Sequence, residues 1–268
     1  MEHLTDLAPG FRTRVLDDGA ASGDGGPAVV LLHGTPFDAD AWDALVPRLA
    51  GRRVVRFDAR GHGVAAAVPV TDYRRLAADV VAVLDGLEIA QAHVVGHSWG
   101  GETAQRVALD HPDRVARLSL LCTRASPFPP FTGLAATLRS GGADLETMLG
   151  RWFTDAERAE PDGVAATVRR ALHAADPERW AEALDQIAAF DDLGELARVP
   201  VPVDVVAAEL DGVSPPEHMT LIADAVPSGV LHVLTGARHL VPLQRPEEVA
   251  QILLAPRTGA ELEHRVPE

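Results

Sequence analysis

Three residue types able to carry out acyl transfer occur in this chain in the order serine, carboxylate, histidine, at Ser98, Asp211 and His239. A serine hydroxyl is a weak nucleophile at neutral pH. It needs a base within hydrogen-bond reach and an acid that orients the base. Ser98 lies in Gly96-His97-Ser98-Trp99-Gly100, a Gly-x-Ser-x-Gly pattern entered from an apolar run at 92–95 and left through a helical stretch at 102–109. That context predicts a nucleophile elbow, a sharp strand-to-helix turn that holds Ser98 proud of the sheet, with Gly96 and Gly100 leaving room for the chain to close.

The acid is expected at the carboxyl end of a strand over 201–207, where Asp211-Gly212 forms a turn. Asp211 is preferred to Glu209, which lies two residues nearer the strand, and Thr123-Arg124 after the preceding strand offers no carboxylate. His239 follows the last strand, and a loop after a strand brings its side chain to the sheet end that carries Ser98. His232 alternates with Leu231 and Val233 inside that strand and reads as a surface or hydrogen-bonded histidine. His97 points away from Ser98 by alternation. The developing oxyanion needs two backbone donors. The amide of Trp99 is one, and the amide of Thr35 is the other, because Pro36 has no N–H. Gly34 lets that backbone approach. His33 reads as a loop brace, Asp58 and Arg60 as ties within their own loop, His62 as a neighbour or solvent-facing residue, and Glu102 as a solvated or hydrogen-bonded helix residue. Eleven histidines invite a metal reading, but none pair at the short spacings zinc favours, so neither metal nor cofactor is expected.

The elements that must position these residues follow from hydrophobic patterning. A weak alternation at 11–18 and a Gly-rich turn reaching Pro27 predict an antiparallel edge hairpin. The continuous apolar run at 28–32 predicts a strand buried on both faces of a parallel sheet, and apolar-rich segments at 53–57, 92–95, 115–122, 201–207 and 230–234 predict further strands. Helices are expected at 41–50, after a cap at Thr71 or Asp72, and at 102–109, 216–225 and 246–254. This alternation predicts an α/β fold with a mostly parallel, doubly wound sheet. From about Thr123 to Asp191 the rhythm breaks into Ala-rich helical segments, which read as an inserted helical cap. The expected division is 1–123 with 192–268 as the core and 124–191 as the cap. Residues 256–268 read as a loose polar tail.

Composition narrows the partners. The 268 residues carry a formal net charge of −15, which argues against nucleic acid, since that partner needs a basic footprint. No apolar run reaches the roughly 18–20 residues that span a bilayer. The first residues lack a basic region followed by an apolar core, and the single cysteine, Cys122, lies in an apolar strand and reads as a buried structural thiol. The expectation is a cytoplasmic protein acting on a small molecule, with no membrane partner and its oligomeric state left open.

Taken together, the segments 33–36, 58–63, 96–101, 211–215 and 236–239 resemble the α/β-hydrolase fold over most of residues 11–255. Within it, the cap stretches 150–154, 175–180 and 191–193 resemble the 3-oxoadipate enol-lactonase group of carboxylic-ester and lactone hydrolases. That resemblance implies a Trp-x-x-Arg pattern opening the cap, with the arginine available to a substrate carboxylate. Here the stretch reads Phe131-Thr132-Gly133-Leu134. Leucine can only desolvate a carboxylate that an arginine fork would bind. Arg139 or Arg124 are candidate replacements, and a more neutral lactone or ester is the alternative.

The expected activity is that of a serine hydrolase cleaving an ester or lactone of a small to medium molecule. Ser98 attacks, His239 moves the proton, Asp211 orients His239, and the Thr35 and Trp99 amides hold the oxyanion. Phe128, Phe131, Leu134 and Trp152 are the candidate pocket walls. The same triad serves C–C bond hydrolysis, peracid formation or cyclisation, and a binding protein on this fold is the alternative of a different class.

Overall fold

The computed structural model of the chain describes residues 2–8, 11–19 and 26–256. Eight strands form one sheet in the order β1-β2-β4-β3-β5-β6-β7-β8. They are β1 (Glu2–Ala8), β2 (Phe11–Asp17), β3 (Ala28–Leu32), β4 (Val54–Phe57), β5 (Ala92–His97), β6 (Val115–Leu121), β7 (Val203–Ala208) and β8 (Gly229–Leu234). β1 pairs antiparallel with β2, and β2 antiparallel with β4; every later pairing is parallel. The central strands β4, β5 and β7 are buried at every position, as a sheet covered on both faces requires.

Chain order reverses across β3. The chain passes from β3 to β4 on one side and returns to β5 on the other, with Val30 beside both Val55 and Val94. Such a switch opens a crevice at the carboxyl ends of β3 and β5. Helices α1 (Tyr73–Gly86), α2 (Trp99–Asp110), α8 (Pro216–Ala225), α9 (Val241–Gln244) and α10 (Pro246–Leu254) connect or follow the later strands. The Asp72 side chain caps α1 by accepting from the Arg75 amide at 3.0 Å.

Two expectations are corrected. The segment 41–50 is not one helix but two short 3-10 turns, Ala39–Trp42 and Val46–Leu49. Pro47 lacks the N–H that a continuous helix would use, so the segment breaks there. The residues at 11–17 do form an antiparallel strand, but it pairs with β1 and β4 rather than making a hairpin with the next strand, β3, and β1 outside it is the edge. Glu2–Asp6 of β1 are mostly polar and, apart from the half-buried Thr5, exposed, which is why hydrophobic patterning passes over this strand. The expected turn falls mostly on residues 20–25 and the tail on 257–268, outside the described residues.

Between β6 and β7 the chain forms five helices: α3 (Pro130–Arg139), α4 (Leu145–Trp152), α5 (Asp155–Ala159), α6 (Val164–Ala174) and α7 (Pro177–Ala189). Their apolar faces share one core with residues from the sheet end: Leu149, Trp152, Trp180 and Leu184 pack with Phe37, Trp99 and Leu240. The insertion therefore lies over the carboxyl ends of the strands. Among the described residues, no helix is long and apolar enough to cross a membrane.

Candidate active site

The turn from β5 to α2 holds Ser98 at φ +52°, a conformation a non-glycine residue adopts only under constraint. Both flanking glycines are sterically required. A Cβ at Gly96 would overlap the Gly100 carbonyl, and one at Gly100 would overlap the Leu32 carbonyl. The Ser98 amide donates to the Leu121 carbonyl at 2.9 Å, and the Thr123 hydroxyl donates to the Ser98 carbonyl at 2.7 Å. The strained turn is thus tied to β6 from both sides.

Ser98 Oγ lies 3.1 Å from His239 Nε2, and His239 Nδ1 lies 2.8 Å from Asp211 Oδ2. With Nδ1–H donating to the carboxylate, Nε2 is left to accept the serine proton. Asp211 Oδ1 accepts from the amides of Val213 at 2.7 Å and Ser214 at 3.1 Å. Burial by itself would raise the Asp211 carboxyl. His239 and these two amides outweigh burial and hold it below the usual carboxylate range. Glu209 is turned elsewhere and accepts from the Gly236 amide at 2.7 Å. The Arg124 guanidinium donates to the Val213 carbonyl at 2.7 Å, bracing the loop that carries Asp211.

Four histidines other than His239 lie at or near this end of the sheet, or pair within it, as supports. His97 Nε2 donates to the His239 carbonyl at 2.9 Å, and the two rings lie 5.1 Å apart. His33 donates from Nδ1 to the Gly34 carbonyl and accepts from the Ala59 amide at Nε2, both at 3.0 Å, so it joins the loops after β3 and β4. His62 is buried rather than solvent-facing. It donates to the Arg60 carbonyl at 2.8 Å and accepts from the Thr35 hydroxyl at 2.9 Å. Burial pushes both His62 and His97 down to about 3, so they are neutral spacers. His232 pairs with Asp204 at 3.0 Å.

Asp58 accepts from the Ala39 and Val64 amides and from Arg14, whereas Arg60 reaches across to Asp79 on α1 at 2.5 Å. Arg60 therefore anchors its loop to a helix rather than to Asp58. Glu102 is 1% exposed and accepts from the Tyr73 hydroxyl; burial pushes its carboxyl well above the usual range. It is a buried hydrogen-bonded residue one helical turn beyond Ser98.

Thr35 and Trp99 stand at the two sides of Ser98. Gly34 lies so close that a Cβ there would come 3.1 Å from Ser98 Cβ, which brings the β3 loop against the elbow. The amides of Thr35 and Trp99 take part in none of the protein hydrogen bonds among the described residues. Cys122, at φ +46°, is fully buried beside Asp211. Burial, then the Asp211 charge, push its thiol well up. Cys122, Asp211 and His239 bring metal-competent atoms within 4.8 Å of one another, but His239 Nδ1 and Asp211 Oδ2 are already bonded to each other.

Above Ser98 and His239 is a cavity of about 40 Å³. Phe131, Leu134 and Trp152 line it, together with Met148, Trp180, Leu184, Ile187 and Val213. Trp152 also stacks on the His239 ring, with centroids 6.2 Å apart. Phe128 is not in this wall; it packs edge-on against Phe131, under the Arg124 guanidinium. Arg139 is engaged on the outside with Glu178 and Asp185. Arg151, which sequence reasoning passed over, is the charged residue of the lining. Trp180, Leu184 and Ile187 were legible as one face of a helix by their spacing, though not as pocket walls. The roles of Thr123 and Arg124 carry no local signal, since their partners are 25 and 89 residues away.

The parallel sheet, the elbow after β5 and the crevice beside it define an α/β-hydrolase fold. The signature of the alpha/beta hydrolase family matches residues 29–252, and the chain belongs to that family. A hydrolase from Pseudomonas aeruginosa PA01 superposes with a TM-score of 0.85 at 31% identity, covering 95% of this chain and 98% of that one. 3-Oxoadipate enol-lactonase 1 of Acinetobacter baylyi is 27% identical over 231 residues, 84% of this chain and 86% of that protein. The dihydrolipoyllysine-residue acetyltransferase component of an acetoin cleaving system from Pseudomonas putida is 32% identical over 250 residues, 87% of this chain. The chain spans 64% of that relative's length.

Proposed function

We propose that the protein is a serine hydrolase that cleaves an ester or lactone of a small to medium molecule through an acyl-enzyme. The observation that carries this reading is the unbroken relay Ser98 Oγ–His239 Nε2 at 3.1 Å and His239 Nδ1–Asp211 at 2.8 Å, opening into an apolar cavity. In this reading Ser98 Oγ bonds to the carbonyl carbon while His239 takes its proton. The amides of Thr35 and Trp99 stabilise the oxyanion. The C–O bond then breaks, His239 passes its proton to the leaving oxygen, and water releases the acid by the same steps in reverse order. Asp211 stays ionised and holds the imidazole in the tautomer that leaves Nε2 free.

A fluorophosphonate probe tests this directly. Intact mass should report one adduct, absent in Ser98→Ala; an unlabelled wild-type protein would overturn the reading. The kcat/KM ratio of 3-oxoadipate enol-lactone to a neutral lactone of similar size then addresses charge. With Leu134 in the wall and Arg139 turned outward, a ratio near or below one is expected. A ratio strongly favouring the carboxylated lactone, and lost in Arg151→Ala, would move the assignment to an enol-lactonase with Arg151 as its carboxylate partner.

A further inference from the structure

Two amides on two different loops must face one oxyanion. Thr35 follows β3 and Trp99 follows β5, so the covalent chain does not set the span between them. Part of the geometry is fixed locally. The peptide that carries the Thr35 N–H also carries the Gly34 carbonyl, which accepts from His33 Nδ1 and from the Phe37 amide, both at 3.0 Å. Those bonds set the tilt of one donor and leave its distance from the other to be held by something else.

A third loop, after β4, brings His62 against both residues. Its ring centroid lies 4.8 Å from that of Trp99, closer than the His33 ring at 6.2 Å, and its Nε2 lies 2.9 Å from the Thr35 hydroxyl. The direction of that bond is forced. His62 Nδ1 faces the Arg60 carbonyl at 2.8 Å, and a carbonyl only accepts, so Nδ1 carries the proton and Nε2 is left to accept from Thr35. The hydrogen of the Thr35 hydroxyl is therefore committed to His62, and the amide is the donor that Thr35 can offer to an oxyanion. Burial holds His62 down at about 3, so Nε2 remains an acceptor at neutral pH.

The loop is built to deliver this ring. Gly61 and Gly63, at φ +78° and +51°, flank His62. A Cβ at Gly61 would overlap Val70, and one at Gly63 would overlap the Asp58 carboxylate. Arg60, whose carbonyl fixes the tautomer, is pinned by its buried pair with Asp79 at 2.5 Å. Asp58 accepts from the Ala39 amide at 3.0 Å, and His62 itself is 3% exposed.

We propose that His62 is a positioning residue for the oxyanion hole, holding the Thr35 and Trp99 amides at the span that a tetrahedral intermediate requires. This deepens the serine-hydrolase reading and rests on it. His62 touches no reacting atom. Its effect falls on the transition state, where the oxyanion forms, rather than on substrate binding, so kcat and not KM should report it.

Side-chain amides separate the two bonds of His62. Asparagine places its amide near the Nδ1 position and can still donate to Arg60, whereas glutamine reaches the Nε2 position and can still accept from Thr35. With p-nitrophenyl acetate, His62→Asn should lower kcat about tenfold or more with KM within about twofold, and His62→Gln should restore most of the loss. The inhibition constant of an alkyl trifluoromethyl ketone, whose Ser98 adduct places an oxyanion in the hole, should rise in step with the fall in kcat. Thr35→Val removes the same bond from its other end, so it should match His62→Asn, and the double variant should be no worse than either. An unchanged kcat in His62→Asn, equal losses in His62→Asn and His62→Gln, or a loss confined to KM would overturn the proposal. So would a kcat loss in Thr35→Val with none in His62→Asn, which would make the hydroxyl an oxyanion donor in its own right. If His62→Asn does not fold, Thr35→Val and Thr35→Ser decide the matter, since serine keeps the hydroxyl: equal kcat values in the two would sink the assignment. Fluorophosphonate labelling separates the two levels. A labelled Ser98 with any of these negative results removes only the role of His62, whereas no labelling and no ester turnover removes the hydrolase reading and this proposal with it.

Discussion

The carboxyl end of the sheet and the helical insertion meet across a few ångströms but are built by opposite means. At the sheet end, buried polar groups are bonded one to another: Thr123 to the Ser98 carbonyl, Arg124 to the Val213 carbonyl, His97 to the His239 carbonyl, Thr35 to His62. Each bond is directional, so the arrangement admits one geometry. The insertion faces the same cavity with Leu134, Trp152, Leu184 and Ile187, held by packing. Apart from Arg151, which also lines the cavity, charges of the insertion lie outside in pairs such as Arg139–Glu178 and Arg169–Glu146. Apolar packing specifies volume more than angle, so side chains there can be exchanged at little cost if volume is conserved. The difference separates chemistry, which needs fixed angles, from selectivity, which needs shape.

The largest effect should come from the directional side. Ser98→Ala is expected to lower kcat by about 10⁴-fold or more, with the thermal unfolding midpoint nearly unchanged. Steady-state kinetics and calorimetry on one sample check both halves. Asp211→Asn should cost kcat about 10³–10⁴-fold, because an amide no longer selects the Nδ1–H tautomer of His239; a loss below tenfold would break the contrast.

On the packing side, Leu149→Ala in α4, where the side chain is fully buried, should destabilise by about 2–5 kcal/mol. Urea unfolding measures this, and kcat should be far less affected than in Asp211→Asn. If kcat fell equally, the insertion would be part of the chemistry and the separation would fail.

Acid sharpens the comparison from the other direction. His62 and His97 sit at about 3 when folded, against ~6.5 in an unfolded chain. The unfolded state therefore takes up protons first. Stability should decline as pH falls from about 6.5 towards 3, by ~1.4 kcal/mol per pH unit for each histidine, with no contribution above that window. The depressed Asp211 carboxyl acts in the same direction, its contribution being lost as pH falls through its folded value. Unfolding free energies at pH 4, 5 and 6 would give the slope, and His62→Asn should reduce it by about one proton. The smallest effect is expected for Arg139→Ala, whose partners are exposed: below about 1 kcal/mol in stability, with KM unchanged.

Much of the sheet end was legible along the chain. Gly96 and Gly100 around a serine, with an apolar run before and a helix after, are a local constraint that sequence records directly. Asp211 and His239 are marked by their positions after β7 and β8. The break at Pro47 was also written locally, yet the apolar spacing around it imitates a helix, and β1 carries too little apolar pattern for an edge strand to be seen.

The sequence by itself determined the alternation of strands and helices, the serine turn, and the chain order of the three candidate residues, because these depend on residues a few positions apart. Only the tertiary structure decided that Thr123 and Arg124 brace the relay, and that Phe128 lies outside the cavity while Arg151 lines it. Those outcomes depend on how the inserted helices settle on the sheet. Packing of that kind is the sum of many weak, non-directional contacts between distant segments, so no short stretch of sequence encodes it.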